Sequence, residues 1–408
     1  MSVPDVYFEF RFHSNLRTHE AMQAVREELA HAFGIYRAGP SYLKMQLYPV
    51  ARAGKSGSEV FYLDLFRTGV SYPARFVAKF QNRTSTSREK ASALEAQHAG
   101  LCTSVFTHEH ATEDLGIIVY DLARCGDHVE FRGYFLNLNQ SNAHCAEALS
   151  SIFKLVGRHP NGNPARKPLV DDFAWYLDRK AEPLQKLASF VDPDATRGTF
   201  PMGVLAEEVL NFYERIKIEL NVQVSPYLVH GDLHARNLML SESTPSRSEL
   251  IDFGWVHYGH PAKDFVLMET TLKYMLLPEL LPIARGTSRD PLHVSTDVMW
   301  AFEDFVAAHG FDLPTEGQLV AGVFAGKDVP PHQQSALLRI YSCLVELRRS
   351  AGVVLREYCV RSACSLKAEQ HYLISLFLVT LGSFGFEEID HVWALIGLRS
   401  TGEFIWKI

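Results

Sequence analysis

Two short segments carry residues able to move a phosphoryl group. The first is His230-Gly231-Asp232-Leu233-His234-Ala235-Arg236-Asn237, and the second is Ile251-Asp252-Phe253-Gly254. One acid stands in a polar loop after a strand-like run. An amide follows five residues later, and a second acid ends the next strand-like run. Phosphoryl transfer needs such parts: a carboxylate to orient a hydroxyl and take its proton, and oxygen ligands to hold Mg²⁺ on nucleotide phosphates. Magnesium prefers carboxylate and amide oxygens to nitrogen or sulfur, and both oxygen types are here.

The elements that must position these residues fall into two parts. A helix is expected over Thr18–Ala32, then strands over Tyr42–Val50, Glu59–Phe66 and Ala74–Phe80. Ala51–Ser58 holds Gly54 and Gly57 and reads as a hairpin loop. Thr86 and Glu89 have capping-box spacing for a helix over about Ser87–Ala99, with Ala91, Leu94, His98 and Leu101 on one face. A strand over Gly116–Asp121 closes this part. Beyond Leu122 the spacing is mostly helical, over Ala143–Val156, Val170–Phe190, Met202–Leu220 and from Asp264 onward. Short strands at Tyr227–Val229 and Ser248–Asp252 flank the chemical segments. The order is a small β-rich lobe, then a larger α-rich lobe.

The two segments resemble the protein-kinase-like fold, in the aminoglycoside phosphotransferase and choline kinase branch, which has His-Gly-Asp where protein kinases have His-Arg-Asp. The resemblance covers about residues 40 to 270. It implies an α+β, bilobal architecture: an N-terminal extension over 1–40, a nucleotide-binding N-lobe over 41–122 and a helical C-lobe over 123–408. It also implies ATP and Mg²⁺. Carried over residue by residue, Asp232 is similar to the catalytic base, Asn237 and Asp252 to the metal ligands, and Phe253 and Gly254 to the rest of the metal-binding turn. His230 matches a residue that braces the loop. Asp264 stands where this branch places an acid supporting that loop, although an acid near a helix N-terminus is favoured by the macrodipole anyway. Lys79, in Val77-Ala78-Lys79, resembles the lysine that grips the α- and β-phosphates. Glu89 resembles the helix glutamate that pairs with that lysine, with Glu95 in reserve. Gly54 and Gly57 would let backbone approach the phosphates. Tyr120 and Leu122 fall where the hinge meets adenine through backbone groups. His234 and Arg236 lie where side chains contact a phosphate or the acceptor.

Composition narrows the class. Across 408 residues, 47% are hydrophobic and 21% charged, so a large core is available and disorder is excluded as the main state. Forty Lys and Arg against 47 Asp and Glu give a net charge of −7, which argues against a general nucleic-acid binder. Six cysteines are too sparse for a disulfide framework, and buried thiols in a reducing compartment are expected, including Cys359 and Cys364. The acidic N-terminus is unlike a signal peptide, and the apolar run Leu373–Leu381 is too short to span a bilayer. A cytoplasmic protein is the expectation. Gly54-Lys55-Ser56 mimics the end of a P-loop, but Pro49 stands where the motif needs glycine. His108-Glu109-His110 reads as a solvated loop.

Gly231 replaces the arginine that reads an activation-loop phosphate in many protein kinases, and no Ala-Pro-Glu follows Asp252-Phe253-Gly254. Both absences favour a hydroxyl-bearing small molecule as acceptor. The acids Glu303, Asp304, Glu387, Glu388 and Asp390 read as solvated helix faces and receive no role. The extension and the long helical tail admit a second reading, a kinase-like module that phosphorylates or binds a protein partner.

Overall fold

The computed structural model describes residues 5–9, 15–33, 42–50, 58–101, 106–111, 114–121, 128–160, 167–178, 182–191, 202–220, 222–285 and 294–407. The chain divides into two compact units. The first comprises Met1–Val129, Ser241–Ser243 and Glu249–Val256; the second holds the rest. The turn Asp252–Gly254, expected with the helical lobe, therefore groups with the first unit, where Lys79 binds it.

The first unit is built on a six-stranded sheet of order β1-β2-β3-β4-β6-β5. The strands are β1 (Asp5–Phe8), β2 (Tyr42–Pro49), β3 (Glu59–Arg67), β4 (Ala74–Gln81), β5 (Phe106–Ala111) and β6 (Gly116–Asp121). All neighbours are antiparallel except β1, which runs parallel to β2. The N-terminal segment is thus part of the sheet rather than an appendage. Its helix α1 (His19–Ala32) starts as the sequence suggests, with Thr18 accepting from the Ala21 amide. Val25 and Leu29 join Met45, Leu47, Leu63 and Leu65 in one core, so the segment buries apolar surface that the sheet face needs covered. His108-Glu109-His110 lies in strand β5 rather than in a loop, and His110 pairs with buried Glu28 at 2.7 Å.

Helix α2 spans Arg83–His98 and begins four residues before the expected Ser87. Asn82, not Thr86, caps it, accepting from the Ser85 amide at 2.8 Å. Its buried face is Thr86, Glu89, Ala93 and Ala96 rather than Ala91, Leu94 and His98. This face is small and polar because the helix lies tight on the sheet. A Cβ on Gly116 would meet Thr86 Oγ1 at 2.1 Å, so only glycine permits the approach.

The second unit is mostly helical. Its expected Val170–Phe190 helix is two helices, Leu169–Leu177 and Pro183–Ser189, because Pro183 starts a new one. The Ala368–Ser383 helix is buried along most of its length and carries the apolar Leu373–Leu381 run. Short strands Tyr227–Val229 and His257–Gly259 pair antiparallel. Among the described residues no helix is long and apolar enough to cross a membrane.

Candidate active site

In the first unit, strand β4 and helix α2 bring a lysine between two acids. Lys79 Nζ donates to Glu89 Oε2 at 2.9 Å and to Asp252 Oδ1 at 2.6 Å. Strand alternation puts Val77, Lys79 and Gln81 on one face. Gln81 Nε2 also donates to Glu89 Oε2, at 2.8 Å, and the Tyr120 hydroxyl donates to Glu89 Oε1. Three donors thus fix a glutamate that is 2% exposed. Burial works to lower the Lys79 pKa, but the Asp252 and Glu89 charges overrule it and the net shift is upward. The ammonium therefore stays charged. Burial and the neighbouring Asp252 charge push Glu89 upward.

Asp252 differs from its partners. Its side chain is 28% exposed, and its backbone is left-handed at φ 65°. A non-glycine residue held there costs of order 1–3 kcal/mol, and such strain clusters at functional sites. The turn that follows, Phe253–Trp255, packs on helix α2, and Arg88 lies 5.5 Å from the Trp255 ring centroid. The Asp252 carboxylate is a hard oxygen donor of the kind Mg²⁺ takes.

Tyr120 has a different place from the hinge position expected of it. It sits in register with Val77 of β4 and Phe106 of β5, inside the sheet, with its ring 6.0 Å from that of Phe253. Leu122, Gly54 and Gly57 lie outside the described residues. Glu95 is exposed on the far side of α2. Gln81 escaped the sequence reading, although its period-two spacing from Lys79 was the signal for it.

In the second unit, the loop 230–237 is held from behind by one carboxylate. Asp264 Oδ2 accepts from the His230 amide and Oδ1 from the Gly231 amide, both at 2.8 Å. Burial raises the Asp264 pKa, while these amides and His230 oppose the rise. Asp264 thus does more than sit at a helix N-terminus. Gly231 takes φ +79°, a conformation costly for other residues, and its carbonyl accepts from the Tyr176 hydroxyl at 2.7 Å. Tyr176 was not foreseen, since its spacing marks only a core helix position.

The loop's own bonds set its tip. Asn237 Nδ2 donates to the Asp232 carbonyl at 2.8 Å, which leaves the amide oxygen as the end able to meet a cation. The Asp232 and His234 side chains are 27% and 34% exposed, and His234 Nε2 stands 3.7 Å from Asp232 Oδ2. That is too long for a direct hydrogen bond. His234 Nδ1 accepts from the Arg236 amide at 3.2 Å, which orients the ring. An exposed carboxylate on a braced loop can accept a proton from a bound hydroxyl.

The acids that read as solvated faces include two that are not. Glu303 is 2% exposed and accepts from Lys273 at 2.5 Å and from Trp393 Nε1 at 2.6 Å. Asp390 caps the His391–Ile405 helix through the Trp393 amide at 3.0 Å.

No curated protein matches this sequence. Among solved structures, the chain is similar to an aminoglycoside phosphotransferase from Streptomyces rimosus, at 15% identity over 79% of this chain and 98% of that one, with a TM-score of 0.35. A second structure of that enzyme holds ADP and streptomycin. The chain is similar to an ethanolamine kinase from Plasmodium vivax, at 11% identity over 98% and 97% of the two chains, with a TM-score of 0.40. It is similar also to a choline kinase from Cryptosporidium parvum, at 12% identity over 96% and 97%, with a TM-score of 0.44. A family model described as the phosphotransferase enzyme family, APH, matches residues 56–274, more than half of the chain. That span contains Lys79, Glu89, the 230–237 loop and the Asp252 turn. The chain therefore belongs to the phosphotransferase enzyme family, and its fold is α+β.

Proposed function

We propose that the protein moves the γ-phosphoryl group of ATP, with Mg²⁺, to a hydroxyl of a small molecule. The observation that supports this most is the Lys79 ammonium, kept charged between Glu89 and Asp252. A buried cation with an open acid beside it is a place for phosphate oxygens and their metal. In this reading the N-lobe, 41–122, takes the nucleotide and the C-lobe, 123–408, supplies the base. Lys79 binds the α- and β-phosphates, and Glu89 holds it there. Tyr120 acts on the nucleotide only through Glu89. Leu122 lies at the adenine, and Gly54 and Gly57 lie at the phosphates.

Asp232 is the general base in this reading. It accepts the acceptor hydroxyl's proton as the oxygen attacks phosphorus, the bond to the β-phosphate oxygen breaks, and ADP leaves. Asn237 through its amide oxygen and Asp252 through its carboxylate are the Mg²⁺ ligands. Held there, Mg²⁺ would supply neutralisation of the charge on the phosphates. His234, half-exposed beside Asp232, contacts the transferred phosphate or the acceptor. In this reading the protein works in the cytoplasm, where ATP is abundant.

The test is transfer of label from γ-labelled ATP to a panel of aminoglycosides, choline and ethanolamine, and to a metabolite extract. Label should appear on a small molecule. Asp232→Asn should lower the rate by about 10²–10⁴-fold while nucleotide still protects the fold against heating. Label on polypeptide alone, or full activity in Asp232→Asn, would overturn the proposal.

A further inference from the structure

Away from the 230–237 loop, the second unit holds a cluster that phosphoryl transfer does not use. The long Pro331–Ser362 helix ends at Ala363 in the left-handed conformation, φ 48°. The reversal folds Cys364 back, and its amide donates to the Cys359 carbonyl at 3.1 Å. The Ala368–Ser383 helix begins a few residues on and delivers His371 from its first turn. One ligand atom each from Cys359, Cys364 and His371 lies within 4.8 Å of the others.

Two observations separate this cluster from a chance grouping of thiols. His371 is fully buried, yet its Nε2 has no hydrogen-bond partner. A buried ring nitrogen without a partner is unfavourable unless a group from outside the chain meets it. Its other nitrogen, Nδ1, lies 3.1 Å from His260 Nε2, and His260 Nδ1 lies 3.3 Å from Ser375 Oγ. A metal-binding histidine usually has such a partner on its second nitrogen, which fixes ring orientation and tautomer.

We propose that Cys359, Cys364 and His371 bind one zinc ion through two thiolates and the His371 Nε2. Zinc favours sulfur and imidazole ligands in tetrahedral array, at about 2.3 Å from sulfur and 2.0 Å from nitrogen. Such bonds space the ligands roughly 3.5–3.8 Å apart, so the cluster closes on the ion by a shift of about 1 Å. The fourth position is taken by water. Two thiol protons are released on binding. His371 then carries its proton on Nδ1 and donates it to His260 Nε2. His260 then carries its own proton on Nδ1, facing Ser375 Oγ, and the Ala262 amide gives up the bond it makes to that nitrogen in the metal-free chain, so each ring keeps one proton. Ser375 can accept because its own hydroxyl hydrogen goes to the His371 carbonyl, at 2.7 Å.

The ion would pin the corner between two long helices. His260 also links this corner toward the segment bearing Asp264, since in the metal-free chain its Nδ1 accepts from the amide of Ala262 at 3.2 Å, and Ala262 caps the helix that carries Asp264. The proposal does not depend on the phosphotransferase reading, and neither failure implies the other.

The test uses the full chain with Zn²⁺ and Co²⁺ as probes. After zinc loading and exhaustive exchange, elemental analysis should find about one zinc per chain. Cobalt in its place should give near-ultraviolet thiolate-to-metal absorption and strong visible bands. Cys359→Ser with Cys364→Ser should lose both signals. Should that variant fail to fold, the unaltered chain decides: zinc must slow iodoacetamide labelling of Cys359 and Cys364 several-fold, mapped by peptide mass. No retained zinc, unchanged labelling, or a Cys359–Cys364 disulfide in freshly purified protein would overturn the site.

Discussion

Each unit has a buried cluster of charges, and the two are built to opposite ends. In the second unit, Glu269 accepts from Arg348 at 2.6 Å and from Lys273 at 3.4 Å, while Lys273 also meets Glu303 at 2.5 Å. Two cations balance two acids, and all four side chains are at most 2% exposed. Tyr372 and Trp393 donate to the acids, at 2.7 and 2.6 Å, and complete their shells. The first unit's cluster has one cation, Lys79, for two acids, and Asp252 is open to solvent. A sealed, neutral set suits structure, since nothing further can enter it. A set with one lysine between two acids, one of them open to solvent, keeps a face that a further group can reach. Residual charge and one exposed member, rather than burial alone, mark the cluster with chemistry to do.

Breaking the sealed cluster should give the largest effect. Arg348→Met leaves buried Glu269 with Lys273 as its one neighbouring cation among the described residues, and unfolding stability in urea should fall by about 3–5 kcal/mol. The folded fraction should keep its turnover. A loss below about 1 kcal/mol, the range of an exposed ion pair, would mean the cluster is wetter than its burial implies.

Breaking the open cluster should act on rate instead. Lys79→Met should cost about 10²–10³-fold in kcat/KM, the usual loss when one phosphate or oxyanion contact goes. Wild-type turnover in that variant would remove the distinction between the clusters.

The pH response sharpens the contrast. Burial acts to raise the Glu269 pKa, but the Arg348 and Lys273 charges win and hold it at about 2. The folded value lies below the unfolded one, so ionised Glu269 stabilises the protein above about pH 4.3 and loses that contribution as pH falls toward 2. The loss is roughly 3 kcal/mol. Glu269→Gln should start less stable and respond less to acid over that window, which denaturation curves at several pH values would read. An unchanged slope would reject the assignment.

The smallest effect belongs to Tyr120→Phe. It removes one of the three donors on Glu89 and should lower stability by about 1 kcal/mol, with a modest rise in KM for nucleotide. A large kcat loss with unchanged KM would instead put Tyr120 at the reacting atoms.

The phosphotransferase motifs and the broad order of the elements were legible in the sequence. Asp232 and Asn237 share one loop, and the local geometry of that loop follows from sequence. Strand alternation around Lys79 and the Thr18 cap of α1 were legible for the same reason. Helix α2 was misread because its buried face is polar. Hydrophobic periodicity cannot report a face chosen by Gly116 and by the Lys79 charge, both outside the helix. The same limit hid Glu303, whose burial depends on Lys273 and Trp393. It hid Tyr176 behind Gly231 and the meeting of His371 with Cys359 and Cys364, while Asp264's support of the loop was expected only through the family resemblance. A charged or polar side chain declares its type in the sequence, but its partner decides whether it is solvated, sealed or poised to bind. That partner is set by packing between segments, because water and a buried counter-charge compete for the same group and only the fold excludes the water.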